Sequence, residues 1–141
     1  MDIEFGNAGK LETHQTGWFI GFSEWAKSGD SDVADLRYMP EESLSRTLHV
    51  KWMSHPANDD RGTQKPPSAG RTISILVSQR GLFRIQFAAD DQFTHVIEHR
   101  LASHGDFVIW GENIHHRWLV DEACTILTLR WIPVEVKLLK Q

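Results

Sequence analysis

The residues best suited to chemistry gather in one stretch, 105-GDFVIWGENIHHRW-118. Two adjacent imidazoles, His115 and His116, stand between Trp110 and Trp118. A buried strand does not need imidazoles and an exposed loop does not need tryptophans, so the segment reads as the wall of a pocket. A second candidate closes the run 44-LSRTLHVKWMSHP-56. Residues two apart on a strand share a face, so His49, Lys51, Met53 and His55 point the same way. Imidazole nitrogens carry protons or bind metals. Along an extended strand His49 lies about 20 Å from His55, too far for one ion, whereas Met53 lies about 7 Å away. A thioether suits copper(I) better than iron, manganese or zinc. Lys51 on this face opposes a dication and favours an organic anion.

Other side chains have a possible role in the same pocket. Trp118 shares parity with His116, where its ring either stacks on a flat ligand or closes the core. Arg130 sits in an apolar strand beside Ile126 and Thr128, so its guanidinium needs a carboxylate, from the protein or from a ligand. Arg84, between Phe83 and Ile85, poses the same choice. His115 should face outward by alternation, and His95, His99 and His104 read as solvated surface. Cys124, the single cysteine, lies in the apolar run ACTILTLRW and reads as a small core residue.

The elements that must position these groups are strands. Besides the two runs above, GWFIGF (17–22), RTISILVSQ (71–79), LFRIQF (82–87), FTHVIEHRL (93–101), HRWLV (116–120) and CTILTLRWI (124–132) are aromatic or β-branched and bounded by turn residues. Turn signals recur every 8–12 residues or so, the spacing of a sandwich or barrel. Arg80-Gly81 between two of the runs predicts a hairpin. The polar stretches 26–43 and 57–70 read as loops, with a short helix near SDVADLRYM and a candidate lid in the second. In 72–78, Thr72, Ser74, Leu76 and Ser78 share one face, while Ile73, Ile75 and Val77 share the other.

Bulk properties narrow the function. A chain of 141 residues suits one domain, 1–141, with a core barrel over about 44–132. The net charge of −4 argues against a nucleic-acid partner. No apolar window approaches the roughly 20 residues that cross a bilayer. The segment MDIEFGNAGKLE is not patterned as a secretory signal, and a single cysteine suits the cytoplasm. No Gly-x-Ser-x-Gly occurs to support a serine nucleophile.

The stretch GDFVIWGENIHHRW resembles the second motif of the cupin superfamily. Gly105 opens that motif, Gly111 takes its proline position, Asn113 its second glycine and His116 its metal-binding histidine, while its closing asparagine falls on Val120. In the first motif His55 takes the second histidine position, Met53 the first, Thr72 the glutamate and Gln79 the glycine. The match spans about 48–132. The segments KWxxHP, SILVS, GDxVxWG and LTLRW are similar to those of small single-domain bacterial cupins. The resemblance implies an all-β chain folded as one double-stranded β-helix, a jelly-roll barrel, with GWFIGF as an added N-terminal strand. It also implies a homodimer, in which the N-terminal strand or a second subunit covers Ile73, Ile75 and Val77.

Two of the four ligands of the cupin metal site remain, His55 and His116. One reading is a small-molecule pocket that binds an organic anion or cyclic metabolite through Lys51, Met53, Trp118 and Arg130, without a full metal site. The other is an enzyme (dioxygenase, isomerase or lyase) using one divalent metal, Zn, Fe, Mn or Ni, on His55 and His116. Enzyme and binding protein both fit these residues.

Overall fold

The structure, a computed structural model, describes residues 1–13, 15–21, 36–37, 44–63 and 66–134. The helix expected near SDVADLRYM and most of the polar stretch 26–43 lie outside these residues. The described elements are all strands: β1 (Ile3–Asn7), β2 (Leu44–His55), β3 (Arg71–Leu76), β4 (Leu82–Ala88), β5 (Ile97–Leu101), β6 (Asp106–Trp110), β7 (His115–Glu122) and β8 (Cys124–Val134). No helix among the described residues is long and apolar enough to cross a membrane.

Two antiparallel sheets face each other, one ordered β1-β6-β3-β8-β2 and the other β5-β4-β7. The chain passes repeatedly between them, and its early strand β2 lies beside the last, β8. This is a double-sheet jelly roll, the architecture that cupins share with several other groups. Residues 58–62 run along the free edge of β7, where Asn58 N donates to Val120 O (2.7 Å) and Trp118 N to Gly62 O (3.1 Å). The loop expected to be a lid therefore stands in place of a further strand.

Strand alternation sorts the side chains as the 72–78 pattern predicts. Thr72, Ser74 and Leu76 turn inward with Val108, Trp110 and Ile126. They meet Phe83, Ile85, Phe87, Trp118 and Val120 from the smaller sheet, and all are buried. Ile73, Phe107, Ile109 and Trp131 face outward, yet they too are buried, under Leu36, Phe19, Ile20 and Leu11. Arg37 fastens this cover. It is 2% exposed, its Nε lies 2.8 Å from a carboxylate oxygen of Glu4 on β1, and its Nη1 donates to Phe19 O.

Two expectations are corrected here. The described part of GWFIGF, residues 17–21, is not a strand: 17–20 are irregular, with a lone bridge at Gly21. Its Phe19 and Ile20 serve as cover while Trp18 stays exposed, and the added strand is Ile3–Asn7, which pairs with β6. The second concerns the predicted hairpin. β3 and β4 belong to different sheets, so Arg80-Gly81 carries the chain across the barrel rather than turning it back. A Cβ at Gly81 would overlap that of Cys124, which keeps the crossing tight.

Candidate functional site

The turn into β6 and the loop out of it place the motif residues. Gly105 has φ +92°, a conformation glycine adopts without strain, and Asp106 accepts from the amides of Ala102 and Ser103. Asn113 has φ +61°, so asparagine fills a left-handed position that a glycine would otherwise take. Ser68, 4% exposed, ties the following turn: its hydroxyl donates to Gly111 O at 2.6 Å and accepts from the amide of Ile114. His116 thereby enters β7 facing inward, 8% exposed, with its ring centroid 5.1 Å from that of Trp110.

His55 reaches the same interior from β2. It is 4% exposed, and its ring meets Trp118 edge-on at 4.6 Å and Phe83 at 5.3 Å. Its Nδ1 lies 2.8 Å from Oδ2 of Asp59, itself only 8% exposed. Arg61 grips the same carboxylate, through Nη2 at 2.6 Å and Nε at 2.8 Å. The Arg61 guanidinium holds the Asp59 carboxyl far below the usual carboxylate range, against the opposing effect of burial and with help from His55. An ionised carboxylate only accepts, so His55 carries its proton on Nδ1. Burial pushes the His55 pKa down, outweighing the pull of Asp59. Sequence reading passed over Asp59 and Arg61 because the loop is polar throughout. The usable signal was the close run His55, Asp59, Arg61.

Between the sheets lies a chamber of about 40 Å³, whose walls include His55, His116, Trp110, Trp118, Lys51 and Arg130. A wider hollow of about 550 Å³ opens beside it, walled by Thr47, His49, Val50 and Ala69 among others. Lys51, Thr128 and Arg130 form the common wall. Of the residues singled out from the sequence, His55, His116, Trp118, Lys51 and Arg130 therefore meet at one place. Met53 does not join them: half-buried opposite Ile126 on the edge strand, it lines neither hollow. Arg130 also departs from expectation. Its Nε donates to Thr72 Oγ1 at 2.9 Å, and among the described residues it meets no carboxylate. Arg84 does take the structural option, paired with Asp121 at 2.6 Å and Glu98 at 3.2 Å.

Two smaller readings resolve as well. His99 is half-buried rather than solvated, its ring stacked on Phe5 at 5.0 Å, and burial lowers its pKa. Cys124 is buried, as expected of a core residue, and its thiol is pushed up to about 11 by burial. Among the described residues no three His, Cys, Asp or Glu side chains are grouped to hold a metal ion. Catalytic divalent sites generally use three protein ligands, so the two imidazoles do not make a complete one.

No protein-family model matches the chain, and no curated protein does. Among solved structures it is similar to hydroxypropylphosphonic acid epoxidase from S. wedmorenis, at 10% identity and TM-score 0.48 over 64% of this chain and 51% of that one. The Fe(II) form of HppE in complex with substrate aligns at 12% identity and TM-score 0.47, over 65% and 55%. The 3,4-ketoisomerase QdtA from Thermoanaerobacterium thermosaccharolyticum, in complex with TDP-4-keto-6-deoxyglucose, aligns at 14% identity and TM-score 0.42, over 59% and 56%. The chain spans about half the length of these solved proteins.

Proposed function

We propose that the protein binds a small organic anion inside the barrel, at the junction of the chamber and the wider hollow. The carrying observation is Arg130: a guanidinium on the inner face of the larger sheet, oriented by a buried threonine hydroxyl and matched with no carboxylate among the described residues. Lys51 on the same wall adds a second cation, and Ser74 and Thr128, joined at 2.9 Å, add hydroxyls. Trp118 supplies a flat apolar surface. A ligand-observed NMR screen of organic anions against their neutral amides tests this. Anions should bind, and Arg130→Gln with Lys51→Gln should abolish binding while the circular dichroism spectrum is kept. Equal binding of the neutral amides would sink the reading.

A metal-dependent enzyme is the second reading. It is favoured by the carboxylate of Asp59 on Nδ1 of His55, since metal-bound histidines commonly donate their other ring nitrogen to a carboxylate. Elemental analysis of purified protein should find a stoichiometric divalent metal if it holds, and His116→Ala should release it.

We also infer a homodimer. Leu48, Val50 and Trp52 stand 60–66% exposed in a row on the outer face of the edge strand β2, beside the covered part of the same face. Light scattering at micromolar concentration should report two copies, and one copy after Trp52→Lys.

A further inference from the structure

The wall of the wider hollow narrows the class of anion, on the reading that one binds there. In the strand register His49 of β2 stands directly opposite Arg130 of β8, and Lys51 directly opposite Thr128. All four line the hollow. Side chains opposite one another in an antiparallel pair have Cβ atoms about 4.5–5.5 Å apart, and diagonal neighbours about 7–8 Å. His49, Lys51 and Arg130 therefore occupy three corners of one small patch, with Thr128 at the fourth, and side chains of their length can close on a single group above it. His49 and Lys51 are exposed on the edge strand, so a ligand reaches them from solvent. His49 does not line the smaller chamber, and this separates the two hollows experimentally.

The three donors differ in kind and direction. Arg130 rises from β8 with its Nε committed to Thr72, so its terminal nitrogens carry the recognition. Lys51 and His49 come from the other strand, one a compact point charge and the other a ring N–H. A carboxylate offers two oxygens in one plane and a single charge. A phosphate monoester offers three terminal oxygens in a tetrahedral array and a charge of about −1.5 to −2 at pH 7. It matches two cations and gives each of the three side chains an oxygen of its own. We propose that the wider hollow binds a small phosphate monoester, its phosphate over His49, Lys51, Thr128 and Arg130 and its organic body against Ala69 and Ile132. A hollow of about 550 Å³ falls within the roughly 300–1,000 Å³ of ligand pockets and accommodates such a body, whereas the chamber of about 40 Å³ does not.

Isothermal titration of the full chain at neutral pH with butyl phosphate, butyl sulfate, pentanoate and inorganic phosphate tests this. Butyl phosphate should bind most tightly. Butyl sulfate keeps the three oxygens with one charge, and pentanoate has neither feature. Each should bind more weakly by about tenfold or more, the scale of one charge-assisted hydrogen bond. Inorganic phosphate should also bind more weakly, because it leaves Ala69 and Ile132 uncovered. His49→Ala and Arg130→Gln should each weaken butyl phosphate by about tenfold, with the circular dichroism spectrum kept. If Arg130→Gln does not fold, Lys51→Gln on the exposed edge replaces it, with the same expected loss. Unchanged binding in His49→Ala, or pentanoate or butyl sulfate as tight as butyl phosphate, overturns this proposal and leaves the anion pocket standing. Inorganic phosphate as tight as butyl phosphate assigns the site to the free ion and overturns the ester. Binding of none of the four overturns both readings.

Discussion

The two sheets treat their outward faces in opposite ways. The smaller one shows water a lattice of charge: Arg84 joins Asp121 and Glu98, Arg100 also joins Glu98, and Arg117 pairs with Gln86 while covering the Phe93 ring. The larger one turns Ile73, Phe107, Ile109 and Trp131 outward and has to bury them under the N-terminal segment. A charged face is finished when the strands pair, whereas an apolar face commits further chain, or another subunit, to covering it. The N-terminal residues are thus as much a part of this fold as the barrel strands are.

The contrast can be broken most sharply at Phe107, which is fully buried between β6 and its cover and contacts Phe19 at 5.6 Å between ring centroids. Phe107→Ala should cost about 3–5 kcal/mol in urea unfolding. A loss under about 1 kcal/mol would show that the cover contributes little. Acid should act next, and from the inside. The lowered pKa values of His55 and His99 mean that the unfolded chain binds protons more readily than the folded one. Stability should therefore be level above pH 7 and fall as pH drops below the ordinary histidine value of about 6.5. Glu98 and Asp121 on the charged face, held low chiefly by hydrogen bonds from Gln86 and Arg84 respectively, should begin to contribute losses as pH falls below about 5. Denaturant midpoints measured from pH 8 to pH 3 separate the two phases.

Arg84→Ala should be milder, about 0.2–1 kcal/mol, because its partners are partly exposed to solvent that screens them. Trp52→Lys should change the stability of the isolated protomer least, by less than about 0.5 kcal/mol, because the side chain is 66% exposed. Thermal melts at concentrations low enough to hold the wild type monomeric would check that value apart from any effect on association.

Strand positions were legible wherever residue alternation reported a half-buried surface. β2, β3, β4, β6, β7 and β8 fall within a few residues of the apolar runs that announce them. Alternation also brought His55, His116, Trp118, Lys51 and Arg130 to one interior. Composition misled at GWFIGF, because aromatic and β-branched residues serve equally to pair as a strand or to cover one. The strand IEFGN was missed because it is short and half polar. The Arg80-Gly81 step was misread because a tight turn and a crossing between sheets need the same residues. Asp59 and Arg61 stayed hidden for another reason: a carboxylate buried on a loop is spelled with the same letters as a solvated one.

The burial of Cys124 gives the molecule a built-in clock. It is the sole thiol of the chain, buried at the start of β8 and held protonated. A thiol reagent can reach it only when the strands around it part, so the labelling rate counts openings of the barrel. Followed with and without an added anion, that rate would report how far a ligand holds the two sheets together, with no dye or tag attached.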